Sequence, residues 1–211
     1  MELSILILTH NRPKQFQKCI KSVVDLMQDN CIDYEIIVNN DSNDIVETYK
    51  DVTEYYYNTD DVNELYPFLY SKARGKYIYF LEDDDELLSS KIFLSLNSHD
   101  VHFGMYRAHN KSILKYQMQE FISNKRDRKY IFKYFQLSQI IFKKIPLDFP
   151  QTFHIENDEI LLKSILENTS GCIKCWNLFL FKQGVDGTNL SYEEIKWLIQ
   201  LVIMIILHQI N

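Results

Sequence analysis

The chain has 211 residues, of which 46% are hydrophobic, and this share is large enough for the buried core of one ordinary domain. Charged residues account for 25%, an average value that excludes an intrinsically disordered chain. The formal net charge of -6 excludes unselective nucleic-acid binding by the whole surface, although it is compatible with a local basic patch.

The N-terminal sequence MELSILILTHNRP indicates a cytoplasmic protein, because its apolar run is too short for a signal peptide and ends in a turn. Cysteines are expected to be reduced in that compartment. Cys172 and Cys175 have the spacing of half a zinc site, but no second close pair of Cys or His completes it. We therefore interpret all four cysteines, which include Cys19 and Cys31, as buried or half-buried thiols.

Strands and helices alternate over the first part of the chain. Short apolar runs that end in polar turns predict strands, and apolar residues at helical spacing predict the helices between them. In chain order these are strand 3–8, helix 12–27, strand 34–40, a short helix from Asp41 or Ser42, strand 52–58, helix 62–73 and strand 76–81. This order predicts an α/β fold with a mostly parallel, doubly wound sheet flanked by helices.

The second part of the chain is predicted to add helices at 85–96 and 156–168, strands at 100–108 and 176–183, and a terminal helix that begins near Ser191. We expect residues 1–110 and 111–190 to be two parts of a single domain, with 191–211 as a helical extension. The apolar run in that extension is shorter than the roughly 20 residues that span a bilayer. It would dock on the domain, form a dimer contact or lie on a membrane surface, which leaves the protein cytoplasmic or peripheral to a membrane.

Residues 111–150 are basic, with interleaved aromatic side chains in sequences such as RKYIFKYF. Lys and Arg side chains track phosphates, and aromatic rings stack on bases or sugars, so the segment suits an anionic acceptor. An amphipathic helix with a solvated basic face explains the same residues and is the slightly favoured interpretation.

Three polar turns, THNR, NNDSND and EDDDE, each follow a predicted strand. Ligands of doubly wound sheets bind beyond the carboxyl ends of the strands, so these turns are expected to lie together at one edge. The third turn contains Glu82, Asp83, Asp84 and Asp85, and its carboxylates suit Mg²⁺ or Mn²⁺. The alternative is a solvated acidic turn that caps a helix at 87–96.

The segments SILILTHNRPKQFQKCIKSV, DYEIIVNNDSND and ARGKYIYFLEDDDEL together resemble family 2 glycosyltransferases of the GT-A fold. They cover about residues 3–90, and a weaker similarity in NDEILLKSIL and FLFKQGVDGTNLS extends to about residue 191. The resemblance implies a Rossmann-like GT-A fold and transfer of a sugar to an acceptor hydroxyl with inversion. The implied donor is a nucleotide diphosphate sugar, with a UDP-sugar as first choice, and the implied cofactor is Mn²⁺ or Mg²⁺.

The resemblance also implies roles for individual residues. The residues implied to bind the nucleotide sugar are Thr9, Asn11, Arg12, Asn40, Arg74, Glu82 and Asp83. Asp84 is the expected direct metal ligand, and Glu82 reaches the ribose or a metal-bound water. Asp85 orients the groups that surround the direct metal ligand. Asn39 and Asn40 stand where the family usually has Asp, which leaves the identity of the nucleotide open.

An acceptor hydroxyl is a weak nucleophile at neutral pH, so the reaction needs a carboxylate general base. Asp158 at the start of helix 156–168 matches the family best, with Glu156 and Glu159 as alternatives. An acid at that position is also explained by the helix dipole alone. The acceptor is interpreted as a surface glycan or lipid-linked saccharide, with a hydroxymethylated base of phage DNA as the alternative. A non-catalytic module that binds a nucleotide or a protein is the remaining hypothesis.

Overall fold

A computed structural model describes residues 1–28, 30–40, 49, 51–59, 61–107, 136–149, 157–169, 173–182 and 184. The strands are β1 (Leu3–Thr9), β2 (Tyr34–Asn40), β3 (Val52–Tyr55), β4 (Tyr77–Glu82), β5 (Glu86–Leu87), β6 (Val101–Arg107), β7 (Ile140–Lys143) and β8 (Ile173–Lys182). The α-helices are α1 (Pro13–Met27), α2 (Val62–Lys72) and α3 (Asn157–Asn168), and short 3-10 helices cover Phe93–Ser98 and Leu137–Gln139.

One mixed sheet contains these strands in the order β3-β2-β1-β4-β7-β6-β8-β5. The half built from β3, β2, β1 and β4 is entirely parallel, as the alternation of strands and helices predicted. In the other half, β7 runs antiparallel to both β4 and β6, and β8 is parallel to β6. The fold prediction is thus confirmed, and strands from both parts of the chain share the same sheet.

Both faces of β1, β2 and β4 are buried, which explains why these strands read as continuous apolar runs. Along β4, Tyr79 packs with α1 on one face, and Phe80 packs with α2 and α3 on the other. Helix α1 has Pro13 in its first turn, where the missing N–H is not needed, and its buried stripe includes Phe16 and Ile20. The continuous core on each face holds the carboxyl ends of the strands in fixed relative positions.

The predicted helix at 85–96 is wrong. Glu86–Leu87 forms β5 instead, and a 3-10 helix follows only at Phe93–Ser98. The backbone N–H of Leu87 donates to the hydroxyl of Ser22 on α1, and that of Leu88 donates to the carbonyl of Leu180 on β8. Since Glu86 and Leu87 pair with β8 in an antiparallel register, the start of the segment is extended, and a helical turn forms only from Phe93.

Part of the basic and aromatic segment also differs from the amphipathic-helix alternative. Its C-terminal end, Ile140–Lys143, is β7, which pairs with β4 and β6 at the centre of the sheet. Residues 108–135, the helix expected from Asp41 or Ser42, Cys172 and the terminal helix at 191–211 lie outside the described residues. Cys19 is buried as predicted, whereas Cys31 is exposed. No helix in the described ranges has the length and hydrophobicity needed to cross a bilayer.

Candidate active site

The three polar turns follow strands whose carboxyl ends meet at one edge of the sheet. In the register of β1 with its neighbours, Thr9 lies opposite Asn40 on β2, and Leu8 lies opposite Glu82 on β4. This confirms that the ends of the three strands come together. The remainder of the turn after Asn40 lies outside the described residues.

Burial alternates along the acidic turn. Asp83 and Asp85 are 4% and 2% exposed, whereas Glu82 and Asp84 are partly exposed. The Asp84 side chain itself is only 6% exposed, so much of the exposure of this residue comes from its backbone. The Asp84 carboxylate is therefore as buried as that of Asp83, whose side chain is also 6% exposed.

Asp83 connects the acidic turn to the turn after β1. The Thr9 hydroxyl donates to Oδ2 of Asp83 at 2.9 Å, and the Arg12 guanidinium donates to Oδ1 at 3.2 Å. Burial raises the pKa of Asp83, and the Thr9 hydrogen bond and the Arg12 charge oppose that rise. Arg12 also lies 4.0 Å from Oδ2 of Asp84, so one cation faces two acids.

Asp85 connects the same turn to strands on its other side. The backbone N–H of Gly184, just beyond β8, donates to Oδ1 of Asp85 at 3.2 Å, and the Ser138 hydroxyl also bonds to this carboxyl. Burial, followed by the charge of Asp84, raises the pKa of Asp85 to about 8. Burial thus favours the neutral form of this carboxyl, which reduces the repulsion among four consecutive acids.

Glu82 and Asp84 are the residues expected to bind metal. The carboxylate Oε1 of Glu82 lies 3.5 Å from the Tyr66 hydroxyl on α2, and the backbone N–H of Glu82 donates to Ser138. Within the described ranges, no group of three or more His, Cys, Asp or Glu side chains is arranged to hold a metal ion. Mg²⁺ and Mn²⁺ often need only one or two carboxylates plus water and phosphate oxygens, so this pair still fits such an ion.

Asn11 shapes the turn between β1 and α1. Its φ of 53° lies in the left-handed region, which Asn adopts more readily than most residues. Its side chain is exposed and lies 2.9 Å from the His10 ring. Arg12 occupies the N-cap position of α1, and the turn thereby directs the Arg12 side chain toward the acidic turn.

The two Asn residues that end β2 each have an identifiable partner. Asn39 donates to the carbonyl of Tyr57 at 3.0 Å and accepts from its N–H at 2.9 Å, so its amide holds the chain just beyond the end of β3. Asn40 donates to the Glu54 carboxylate on β3 at 2.9 Å. An Asp cannot donate either of these hydrogen bonds, which gives a structural reason for both departures from the family pattern.

Arg74 does not lie at this site, which corrects the expectation that it faces phosphate. Its guanidinium pairs with Glu35 at 2.8 Å, and Glu35 also accepts from the Ser4 hydroxyl and the Arg74 backbone N–H. These residues lie near the amino ends of β1, β2 and β4, at the opposite edge of the sheet. Lys76 lies at that edge too, within 4.0 Å of Glu2.

Asp158 is the second residue of α3, so the helix that was expected to carry the general base does form. Its side chain, and those of Asn157 and Glu159, lie outside the described set, as does the whole of Glu156. The role of Asp158 therefore stays a prediction.

Sequence comparison decides the family. A profile described as "Glycosyl transferase family 2" matches residues 4–155, which contain every strand from β1 to β7 and the acidic turn. The chain belongs to glycosyl transferase family 2. A search of curated proteins gives no significant match.

Solved structures show the same fold. The 1–349 fragment of S. aureus TarS superposes with a TM-score of 0.67 at 17% identity, over 87% of this chain and 60% of that one. The same fragment in complex with UDP-GlcNAc gives 0.68 at 16% identity, over 90% and 60%, and its complex with UDP gives 0.68 at 16%, over 88% and 61%. This family 2 chain thus has a GT-A fold and spans about 60% of the TarS fragment.

Sequence reasoning missed three residues that contact the acidic turn of this family 2 chain. Ser138 precedes β7, Gly184 follows β8, and Tyr66 is on α2. They are distant from the turn in sequence, and each is a common residue type in an ordinary context. Only Gly184 carried a signal, because it opens the sequence GVDG directly after an apolar strand.

Proposed function

We propose that this chain transfers a sugar from a nucleotide diphosphate sugar to an acceptor hydroxyl with inversion, and that the donor is a UDP-sugar. The observation that carries the proposal is the meeting of β1, β2 and β4 at one edge, where β4 ends in the acidic turn that contains Glu82 and Asp84. Family membership supports the reaction class. The TarS complexes with UDP and UDP-GlcNAc support the choice of donor.

Asp84 and Glu82 are proposed to hold Mn²⁺ or Mg²⁺. The bound cation would neutralise the diphosphate of the departing nucleotide. Arg12 adds positive charge beside the same acids, since its guanidinium bonds to Asp83 and lies 4.0 Å from Asp84. Thr9, through its hydrogen bond to Asp83, keeps the turn against the end of β1.

The nucleotide is proposed to bind along the turns after β1 and β2. Asn11 and Arg12 form the first turn, and Asn40 ends the second strand at the register position of Thr9. Asp158 is proposed as the general base, because it lies in the first turn of α3, where the resemblance to the family places that residue. A base there would take the proton from the acceptor hydroxyl as the new bond forms.

A saccharide, as part of a surface glycan or linked to a lipid, is the proposed acceptor. The net charge of -6 favours it over the phosphate-rich DNA of the alternative. The non-catalytic hypothesis relied on Asn39 and Asn40 in place of Asp. The contacts of Asn39 with Tyr57 and of Asn40 with Glu54 give both residues a structural role, which removes the support for that hypothesis.

Thermal stabilisation by nucleotides tests the proposal first. UDP, GDP, CDP and TDP are each added with Mn²⁺ or with a chelator, and we expect the largest shift for UDP with Mn²⁺. Asp84→Ala should weaken UDP binding in Mn²⁺ by about tenfold or more. Asp25→Ala, at an exposed position on α1, is the matched control and should bind as the wild type does.

The second experiment concerns the chemistry and the acceptor. Metal-dependent hydrolysis of UDP-sugars in the absence of acceptor would separate an enzyme from a binding module. Transfer to glycan lipids is then compared with transfer to hydroxymethylated DNA. Failure of every nucleotide to stabilise the protein in Mn²⁺ would overturn the proposed donor site.

A further inference from the structure

Gly184, two residues beyond the end of β8, packs directly on the acidic turn. A Cβ atom built on it would lie 2.1 Å from the carbonyl oxygen of Asp84 and 2.8 Å from the Asp84 Cβ. Real Cβ atoms essentially never approach another atom to less than 3.0 Å, and the obstructing atom here is backbone. Any larger residue at position 184 would therefore displace Asp84 or the end of β8.

Asp85, the residue after Asp84, also connects the acidic turn to Gly184, through a hydrogen bond. Asp85 is buried and accepts from the Gly184 N–H at 3.2 Å. Ser138 accepts from the Glu82 N–H at 3.2 Å and bonds to the Asp85 carboxyl, so one hydroxyl connects both ends of the turn. The backbone between Glu82 and Asp85 is further closed by a hydrogen bond of 3.1 Å.

Strand pairing continues this attachment along the chain. Glu86 of β5 lies opposite Lys182 of β8, and their side chains form an ion pair of 2.9 Å. Leu88 donates to the carbonyl of Leu180 at 2.8 Å. The ion pair is partly solvated and adds little, but the backbone bonds fix the spacing between β8 and the residues that follow the acidic turn.

We propose that Gly184 and Asp85 are positioning residues for donor binding: they join the end of β8 to the acidic turn and so set the place of the Asp84 carboxylate. Neither residue needs to touch the substrate. The inference rests on the proposed function, because it is the donor's diphosphate and its cation that Asp84 is positioned to meet.

Two matched glycine variants test this. Gly184→Ala clashes with the acidic turn, and Gly75→Ala clashes with the backbone of Ser4, whose nitrogen would lie 2.4 Å from the new Cβ, at the opposite sheet edge. Both should lower the urea midpoint of unfolding. Only Gly184→Ala should weaken Mn²⁺-dependent UDP binding, by about tenfold, as loss of a partner that orients a ligand does. Equal UDP affinity in the two variants would overturn the proposal.

Asp85 supplies a second pair of variants in case Gly184→Ala does not fold. Asp85→Asn retains an oxygen that accepts from Gly184, so it should bind UDP much as the wild type does, whereas Asp85→Ala should bind about tenfold more weakly. Similar UDP binding by both Asp85 variants would count against the role of this contact.

Amide hydrogen exchange separates this inference from the proposed function. The N–H groups of Asp85 and Leu87 should exchange faster in Gly184→Ala, or in Asp85→Ala, than in Gly75→Ala, without any nucleotide present. A wild-type protein that binds no nucleotide would overturn the proposed function and the donor-binding role together. Unchanged exchange at these amides would overturn the attachment itself, whatever the wild type binds.

Discussion

The hydroxyl of Thr9 donates to the carboxylate of Asp83 at 2.9 Å, across 74 positions of sequence. Both residues are buried, so the acceptor cannot exchange this hydrogen bond for one to bulk water. Thr9→Val preserves shape and removes the donor, and we expect a loss of about 1–3 kcal/mol in the free energy of unfolding. Urea denaturation measures it.

Thr9→Ser is the matched control for that substitution, because it keeps the hydroxyl and removes only a methyl group. It should retain most of the stability that Thr9→Val loses. If both variants lose the same amount, packing rather than the hydrogen bond to Asp83 accounts for the effect.

Asn40 and Glu54 form a hydrogen-bonded pair of one amide and one carboxylate, and substitution can move the carboxylate from position 54 to position 40. Asn40→Asp restores the residue type usual in the family but places a second carboxylate beside Glu54, at a site where Asn40 is fully buried. We expect this variant to lose about 1–3 kcal/mol at pH 7 and less at pH 4, where a carboxylate protonates. Adding Glu54→Gln should recover most of the loss, because the new amide can donate to the new acid. A double variant as unstable as the single one would show that the pair is not what selects Asn40.

Glu35 predicts an acid-sensitive contribution to stability. Burial raises its pKa, but the hydrogen bonds from Ser4 and Arg74 outweigh that effect, so its pKa lies below the usual value. A carboxylate with a lowered folded-state pKa contributes its full stability above the unfolded pKa of about 4.5 and loses it as pH falls through the folded value. Because Arg74 is 71% exposed, solvent screens the ion-pair part.

Urea titrations of Glu35→Gln at pH 7, 5, 4 and 3 check this. The variant should be about 1–2 kcal/mol less stable than the wild type at pH 7, and the difference should shrink below pH 4. Glu167→Gln is the control, since that exposed carboxylate pairs with Lys163 only at 3.9 Å and should change stability by less than about 0.5 kcal/mol. A difference at Glu35 that is constant with pH would contradict the assignment.

Asp158→Asn tests the proposed general base. The side chain keeps its size but loses its basicity, so the transfer rate should fall on the order of a hundredfold, whereas affinity for UDP should not change. Glu159→Gln serves as the neighbouring control on α3 and should keep the wild-type rate. Should Glu159→Gln lose activity and Asp158→Asn retain it, the base would be reassigned.

The sequence predicted most of the parallel half of the sheet because β1, β2 and β4 each contain a continuous apolar run that ends in a polar turn. The meeting of Thr9, Asn40 and Glu82 at one edge followed from strand direction alone. The misplaced helix at 85–96 has a different cause. Its apolar residues fit a helix, but their backbone donors are claimed by Ser22 and Leu180, which lie far away in sequence.

Strand length would have prevented the error at Arg74. A six-residue strand such as β4 spans about 20 Å, so a residue before it and a residue at its end lie at opposite edges of the sheet.

The partners of Asp85 could not be predicted from the sequence for another reason. Ser138 and Gly184 reach it only through the order of β7, β6 and β8, which local pattern does not encode.

The strand order also constrains the curvature of the sheet. β4 and β5 are joined by only Asp83, Asp84 and Asp85, a link that reaches at most about 14 Å, yet four inter-strand steps of about 4.8 Å, or about 19 Å on a flat sheet, separate them. The far strands must therefore curl back over the end of β4, and the irregular pairing of β6 with β8 between Phe103 and Tyr106 is one place for that bend. The short acidic link thus holds β5 close to the end of β4 and keeps the sheet bent. Lengthening the link by a few residues would allow these two strands to move apart.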